Sequence, residues 1–226
     1  MLIIGHRGAA GLAAQNTLAA LRAGLDAGAD ILEFDVRLTS DNIPVLAHDP
    51  ILSGKWISRT PYAELKKASP LLATLQEALD EFFGRILLNI ELKTIHSSRV
   101  VYQTVAQYVI RPDDWDNVIF SSFKPKALHR LNERDTSLNL ALLHHANPFS
   151  FMLHHKKLRL SAVGFHRLNA NPLALAVAKE LGIFTYVYTV DRPSAAIRFA
   201  RKNVGAVVTN FPDKIGEALR KESFES

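Results

Sequence analysis

The segment Ile31–Leu38, ILEFDVRL, most constrains the fold, because polar and apolar residues alternate along it. In a β-strand, successive side chains point to opposite faces. One face then carries only apolar residues and the other carries charged ones: Leu32, Phe34, Val36 and Leu38 against Glu33, Asp35 and Arg37. Residues 88–93, LNIELK, repeat this alternation. Two such strands predict a sheet that curls around a charged site and turns its apolar face outward.

Strand-like and helix-like segments alternate through the rest of the chain. The expected strands occupy residues 2–4, 31–38, 86–92, 118–121, 138–143, 162–165, 184–189 and 206–209. This alternation indicates parallel βαβ units, and eight units in 226 residues predict a single (β/α)₈ TIM barrel that spans residues 1–226. A doubly wound open sheet is the alternative. It is disfavoured because Gly5, Gly8 and Gly11 do not match the spacing of a dinucleotide-binding loop.

Local signals indicate where some elements begin and end. Thr74 and Glu77 have the spacing of a capping box, so a helix is expected from there to about residue 83, with Gly84 as its stop. Asp41 and Asn42 predict a turn. Residues 43–47 follow it as an extra extended segment that leads to His48.

Composition excludes several classes of protein. The chain has no cysteine, so disulfides and thiolate metal sites are excluded. The first residues contain no long apolar leader, and no stretch approaches the roughly 20 apolar residues that span a bilayer. A cytoplasmic protein without stable membrane insertion is therefore expected. The net charge of +5 is modest, and nucleic-acid binding is not expected. The oligomeric state stays open.

Acidic residues and histidines gather at the predicted carboxyl ends of the first strands. In a barrel, the ends of neighbouring strands converge on one rim, where Glu33, Asp35, Glu91, His6 and His48 would meet. Carboxylates in one buried place repel each other, and a divalent cation removes that cost. Oxygen ligands favour Mg²⁺, Ca²⁺ or Mn²⁺. The structural alternative is that these acids form ion pairs with nearby basic residues: Arg7, Arg37 or Lys93.

Two of the nine histidines are the strongest candidates for proton transfer. His6 and His48 flank the predicted acids, and an ordinary pKa near 6.5 suits an acid and a base at neutral pH. Arg7 and Lys93 supply fixed positive charge for a phosphate group. One cation, two histidines, an arginine and a lysine form a constellation for phosphoryl transfer. His166 ends a predicted strand and is expected at the same rim. Structural or surface roles are expected for five further histidines: His129, His144, His145, His154 and His155.

Several motifs, taken in order, resemble those of the glycerophosphodiester phosphodiesterases. They are GHRG at residues 5–8, QNT at 15–17, LEFDVRLTSDNIPVLAHDP at 32–50, NIELK at 89–93, SSF at 121–123, YTVD at 188–191 and VTNFPD at 208–213. The resemblance implies a TIM barrel with one divalent cation, commonly Ca²⁺ or Mg²⁺. It implies hydrolysis of substrates such as glycerophosphocholine or glycerophosphoethanolamine to sn-glycerol 3-phosphate and an alcohol. Attack by water and attack through a cyclic phosphate both stay open.

The resemblance also implies a role for each matching residue. Glu33, Asp35 and Glu91 would be metal ligands, His6 and His48 the acid–base pair, and Arg7 and Lys93 the phosphate contacts. The chain departs from the family's usual residues at four positions, which are Gln15 for an acidic residue, Asn42 for glycine, Tyr188 for tryptophan and Asn210 for aspartate. Residues 51–73 are also shorter than the segment many relatives insert.

Two other functions are compatible with the same barrel. One is a lysophospholipase D-type activity on lysophospholipids, which needs an apolar groove or membrane-facing patch. The other is a non-catalytic barrel that binds phosphodiesters, and it is motivated by Gln15 alone. Intact His6, His48 and acidic residues favour an enzyme over a binding module.

Overall fold

Strands and helices alternate through the computed structural model, which describes residues 1–144 and 147–225. The strands are β1 (Leu2–Gly5), β2 (Ile31–Leu38), β3 (Pro44–Leu46), β4 (Ile51–Leu52), β5 (Lys55–Trp56), β6 (Leu87–Leu92), β7 (Val118–Ser122), β8 (Asn139–His144), β9 (Ala162–His166), β10 (Phe184–Tyr188) and β11 (Ala206–Thr209). The helices are α1 (Leu18–Asp26), α2 (Tyr62–Ala68), α3 (Leu75–Phe82), α4 (Ser97–Ala106), α5 (Pro125–Asn132), α6 (Phe151–Leu158), α7 (Pro172–Glu180), α8 (Pro193–Ala200) and α9 (Pro212–Glu225). Short 3₁₀ helices cover Ile57–Arg59 and Pro112–Asn117.

The parallel strands close into a barrel because β1 pairs with strands from both ends of the chain. Ile4 lies opposite Ile31 of β2, and Ile3 lies opposite Val207 of β11. The remaining pairs follow chain order, from β2 through β6, β7, β8, β9 and β10 to β11. The predicted TIM barrel is therefore confirmed, and an open doubly wound sheet is excluded by the closure. Within the described residues, no helix is both long enough and apolar enough to cross a membrane.

Alternation along β2 separates two layers of side chains, as the sequence predicts. Leu32, Phe34 and Val36 are fully buried in the layer between the barrel and its helices. Ile31 instead faces the interior, where a smaller cluster fills the barrel: Ile4, Ile31, Ala141, Leu143, Ala162, Tyr186, Ala206 and Val208. Leu38, at the end of the strand, is only half-buried. The outer layer buries the larger apolar area and supplies most of the hydrophobic stabilisation.

Hydrogen bonds at the helix ends confirm the local signals in the sequence. The Thr74 hydroxyl accepts the Glu77 amide, and the Glu77 carboxylate accepts the Thr74 amide, which completes the predicted capping box of α3. Gly84 follows that helix with a φ of +74°. Asn42 occupies the predicted turn with a φ of +61°, a conformation that asparagine tolerates better than most residues.

The segment between β2 and α3 forms a small addition to the barrel. It contains β3, which pairs antiparallel with β2, then the two-stranded sheet of β4 and β5, and then α2. An apolar cluster of its own holds it together: Val45, Ala47, Ile57, Leu65 and Leu72. This addition positions His48 at the rim, because the Ala47 amide donates to the Asp35 carbonyl at 2.9 Å.

Gly8 lies where the loop after β1 crosses α1. Its φ is +85°, and a Cβ there would lie 2.3 Å from the backbone carbon of Ala20. Gly28 has a similar φ of +79°, but a Cβ there would meet nothing within 4 Å. The two glycines therefore share a backbone constraint and differ in the space around them.

Gly8→Ala is expected to lower the free energy of unfolding by about 3–5 kcal/mol, since it adds backbone overlap to the cost of a left-handed alanine. Gly28→Ala, the matched control, is expected to cost only about 1–2 kcal/mol. Denaturant unfolding followed by circular dichroism measures both. Equal losses in the two variants would show that the close approach to α1 contributes nothing.

Candidate active site

A cavity of about 290 Å³ lies at the carboxyl ends of the barrel strands. Six of the seven predicted site residues line it: His6, Arg7, Glu33, His48, Glu91 and Lys93. The seventh, Asp35, is 1% exposed and forms ion pairs with Arg7 and Lys93, which line the cavity. The sequence therefore identified residues that the fold does bring together. His166 also lines the cavity, as predicted.

Charged and apolar residues line different sides of this cavity. The charged side belongs to β1, β2 and β6 and the loops that follow them. The opposite side belongs mainly to β8, β10 and β11, and it presents apolar and aromatic side chains: Leu143, Tyr186, Tyr188 and Val208. Phe123, just after β7, lies 5.9 Å from the Lys93 ammonium, measured to the centre of its ring. The cavity thus suits a molecule with an anionic group and an organic group.

Three carboxylates converge on the charged side. Glu33, Asp35 and Glu91 each present an oxygen within 4.8 Å of the other two. Glu33 and Asp35 share the inner face of β2, and Asp35 pairs in register with Glu91 of β6. All three are buried, with exposed fractions of 5%, 1% and 8%. Parallel pairing of two alternating strands is enough to create this cluster.

Burial and mutual repulsion shift the pKa values of these acids apart. Burial, followed by the charges of Asp35 and Glu91, raises the pKa of Glu33 well above its ordinary value. Burial and Asp35 also raise the pKa of Glu91, to about 7, against the opposing effect of Lys93. Burial alone would raise the pKa of Asp35 too. The Lys93 charge, the Asn16 amide and the Arg7 charge outweigh it and leave that pKa below its ordinary value.

Two basic residues partly neutralise the acids. The Lys93 ammonium lies 2.6 Å from a Glu91 oxygen and 3.2 Å from an Asp35 oxygen. The Arg7 Nε lies 3.3 Å from the other Asp35 oxygen. Glu33 accepts the uncharged backbone N–H of Arg7 at 2.8 Å. Ion pairing therefore accounts for Asp35 and Glu91, whereas no side-chain ion pair to Glu33 is found among the described residues.

Arg37 has a different role from the expected one. The sequence predicts that it is the structural partner of the acids on its own strand. Instead, its Nε and Nη2 both donate to the backbone carbonyl of His48, at 2.9 and 2.7 Å. Arg37 therefore ties the added segment to β2, and among the described residues the ion pairs of the acids come from Arg7 and Lys93 instead.

The two candidate histidines occupy different environments. His6 is partly buried, and burial lowers its pKa, with the Asn210 side chain opposing and Arg7 assisting that shift. Its Nδ1 lies 2.7 Å from the Asn210 Oδ1. His48 is more exposed, and its Nδ1 lies 2.8 Å from a carboxylate oxygen of Asp49. One histidine thus faces a neutral amide and the other faces an acid.

The remaining histidines fit the roles expected of them where they are described. His144 is buried, its Nδ1 lies 2.7 Å from the Ser150 hydroxyl, and burial lowers its pKa to about 4. His129 and His154 contact each other ring to ring between α5 and α6. His145 lies outside the described residues.

Two consecutive residues with amide side chains, Gln15 and Asn16, lie near the site between β1 and α1. Gln15 stands where relatives usually carry an acid, and its Oε1 accepts an N–H of Arg7 at 2.5 Å. Asn16 donates to the Asp35 carboxylate at 2.9 Å and accepts the Asp35 amide at 3.0 Å. No role of Asn16 is predicted from the sequence. The only signal for it was its place in the QNT motif.

The donor set fits a hard divalent cation. Its three nearest groups are carboxylates, the type of ligand that Mg²⁺ and Ca²⁺ prefer. Burial and the neighbouring carboxylates raise the pKa of Glu33, and a cation held between the three acids would favour its charged form. The residues that would hold it are Glu33, Asp35 and Glu91.

The barrel, with acids, histidines and basic side chains at one rim, defines an enzyme of the phosphodiesterase class. The sequence model of the glycerophosphoryl diester phosphodiesterase family matches residues 6–214, and the chain belongs to that family. A glycerophosphodiester phosphodiesterase from Caldanaerobacter subterraneus is 27% identical over 97% of this chain and 98% of its own length.

Solved structures agree with this assignment. A phosphodiesterase from Oleispira antarctica, in complex with the product sn-glycerol-3-phosphate, has a TM-score of 0.85 and 27% identity, and 97% of each chain is covered. A glycerophosphodiester phosphodiesterase from Parabacteroides distasonis also has a TM-score of 0.85, with 26% identity and 98% of each chain covered. The resemblance that the motifs indicated is therefore confirmed.

Glu33→Gln is expected to stabilise the protein in chelator at pH 8, because it removes buried charge and keeps an oxygen for the Arg7 amide. A buried acid with a raised pKa costs stability progressively as the pH rises from its unfolded pKa to its folded one. We expect Tm to rise by about 2–4 °C, which is roughly 1 kcal/mol for a domain of this size. The gain should vanish near pH 4, where Glu33 is protonated in both states. Glu180→Gln, at an exposed acid of α7, is the control.

Proposed function

We propose that this protein hydrolyses glycerophosphodiesters to sn-glycerol 3-phosphate and an alcohol, with one divalent cation and with His6 and His48 as its acid–base pair. The observation that carries the proposal is the convergence of buried acids, two basic side chains and two histidines on one cavity. Membership of the family and the product-bound relative from Oleispira antarctica support the substrate class.

The cation would be held by Glu33, Asp35 and Glu91. Carboxylate oxygens favour Mg²⁺ or Ca²⁺, and Mn²⁺ is compatible with the same donors. When bound, a divalent cation stabilises the negative charge that develops on phosphate oxygens. Arg7 and Lys93 lie beside the acids and line the same cavity, so they are placed to contact the phosphate. Arginine can bind it through two N–H groups, and lysine acts as a point charge.

The environments of the histidines favour one division of labour. A partly buried histidine with a lowered pKa is neutral near pH 7, which suits His6 to take a proton from the attacking hydroxyl. The Nδ1 of His48 lies 2.8 Å from the Asp49 carboxylate, which can only accept a hydrogen bond and so orients the ring with its Nδ1–H toward the acid. His48 is then the acid that protonates the departing alcohol oxygen as its bond to phosphorus breaks. The attacking hydroxyl, from water or from the neighbouring glycerol carbon, forms the new bond to phosphorus.

The two-sided cavity suits the shape of such substrates. Its charged side would take the phosphate, and the aromatic side chains of Phe123 and Tyr188 line the side available to the organic group. Lysophospholipids carry the same phosphodiester with a long acyl chain attached. A direct comparison of substrates with and without that chain decides between the two activities.

Turnover is expected to require a divalent cation. Release of sn-glycerol 3-phosphate from glycerophosphocholine and glycerophosphoethanolamine should be lost in EDTA and restored by excess Mg²⁺, Ca²⁺ or Mn²⁺. A coupled dehydrogenase assay measures the product. Glu33→Gln should stay inactive under every cation although it folds. Activity that survives EDTA, or a higher rate on lysophosphatidylcholine than on glycerophosphocholine, would contradict the proposal.

His6→Ala and His48→Ala are each expected to lower kcat by about 10²–10⁴-fold, the usual contribution of a general acid or base. His96→Ala is the matched control, since His96 is exposed at the start of α4 and outside the cavity. It should keep near-normal kcat. If either cavity variant retained full kcat on glycerophosphocholine, the acid–base assignment of that histidine would be wrong.

A further inference from the structure

A short series of hydrogen bonds extends behind His6, away from the carboxylates. The Nδ1 of His6 lies 2.7 Å from the Oδ1 of Asn210, which follows β11. The Nδ2 of Asn210 donates to one carboxylate oxygen of Asp191 at 2.8 Å. Its backbone N–H donates to the other oxygen, also at 2.8 Å. Asn210 is therefore held by both oxygens of one acid.

The carboxylate determines the orientation of the Asn210 amide. A carboxylate accepts hydrogen bonds and donates none, so the amide NH₂ must face Asp191. The Thr209 hydroxyl donates to the same acid at 3.0 Å and restrains it further. The amide oxygen of Asn210 is then the atom that faces His6. Rotation of the amide would place its oxygen against a carboxylate oxygen and lose the hydrogen bond from the Asn210 Nδ2 to Asp191.

The orientation of the amide determines which nitrogen of His6 carries the proton. An amide oxygen only accepts, so the Nδ1 of His6 has to be the donor in the 2.7 Å contact. In a neutral imidazole, a proton on Nδ1 leaves the lone pair on Nε2. The His6 amide also donates to the Thr209 carbonyl at 2.8 Å, which fixes the backbone beside Asn210.

We propose that Asn210, oriented by Asp191, is a positioning residue that holds His6 in the Nδ1–H form and makes Nε2 its basic atom. This inference rests on the proposed function for the role of His6 as base, whereas the tautomer itself does not depend on activity. Burial and Arg7 lower the pKa of His6, which is consistent with a neutral ring. Neither Asn210 nor Asp191 touches the substrate in this assignment.

The ¹⁵N spectrum of histidine-labelled protein, recorded with Mg²⁺ bound, tests the tautomer directly. Nitrogens with and without a proton resonate far apart, and His6→Gln identifies the signals of His6. The protein is expected to show a protonated Nδ1 and an unprotonated Nε2 at His6. A proton on Nε2 in the unmodified protein would overturn the inference.

Asn210→Leu removes the acceptor while it keeps a side chain of similar size. It is expected to shift His6 toward the Nε2–H form and to lower kcat about 10–100-fold with KM within about threefold. Asn132→Leu, at the end of α5 and away from the cavity, is the matched control. An unchanged His6 tautomer together with unchanged kcat in Asn210→Leu would overturn the proposal.

Asn210→Leu can lower activity by destabilising the fold. The double variant Asn210→Asp with Asp191→Asn avoids this problem because it keeps an acid and an amide at the two positions. It exchanges the acid and the amide without changing the net charge. The amide at position 191 can donate to the carboxylate at 210, whose second oxygen can still accept the Nδ1–H of His6. This variant is expected to keep the tautomer and to be more active than Asn210→Asp alone, which places two carboxylates side by side.

The outcomes separate this inference from the proposed function. An inactive wild-type protein whose His6 carries its proton on Nδ1 would contradict the proposed function and leave the hydrogen-bond assignment intact. An active wild-type protein whose His6 carries its proton on Nε2 would overturn only the inference. Loss of the Nδ1–H form of His6 in a folded double variant would contradict the inference that the acid and the amide at positions 191 and 210 act as a pair to fix the tautomer.

Discussion

Repulsion among three buried carboxylates is the constraint on which the rest of the site depends. Glu33, Asp35 and Glu91 each present an oxygen within 4.8 Å of the other two, and burial beside like charges favours their protonated forms unless other groups compensate. Lys93 and Arg7 lower the pKa of Asp35 and anchor the cluster. They leave Glu33 short of positive charge, and a barrel designed for stability alone would not keep that arrangement. The excess charge is consistent with a cation-binding site.

The inward-facing residues of the paired strands β2 and β6 change from apolar to polar along each strand, and this change creates the cluster. Inward positions along β2 and β6 run from Ile31 and Leu87, through Glu33 and Asn89, to Asp35 and Glu91. The lower pair packs in the interior, whereas Glu33, Asn89 and Glu91 line the cavity. Small side chains from other strands, such as Ala141 of β8 and Ala206 of β11, belong to the same interior cluster as Ile31. The same pleat therefore builds both the core and the polar rim.

The sequence predicts the contacts that follow from the alternation of side chains within strands, and it does not predict contacts between residues that are far apart in the chain. Alternation within β2 places Leu32 and Glu33 on opposite faces, and the strand order of a barrel then brings Glu91 beside Asp35. These steps need only periodicity. The partner of Arg37 was missed because a carbonyl has no signature in sequence. Asn210 was missed as a partner of His6 because 204 residues separate them and only closure of the barrel by β1 and β11 joins them.

The two histidines show how one barrel gives one residue type two different environments. His6 follows a barrel strand, is partly buried, and faces an amide that adds no charge, so its environment favours the neutral ring. His48 comes from the added segment, is partly exposed, and faces the Asp49 carboxylate. Its position relative to the acids depends on Arg37, which holds the His48 carbonyl against β2. These environments support the proposed division of labour, in which a barrel strand carries the base and the added segment carries the acid.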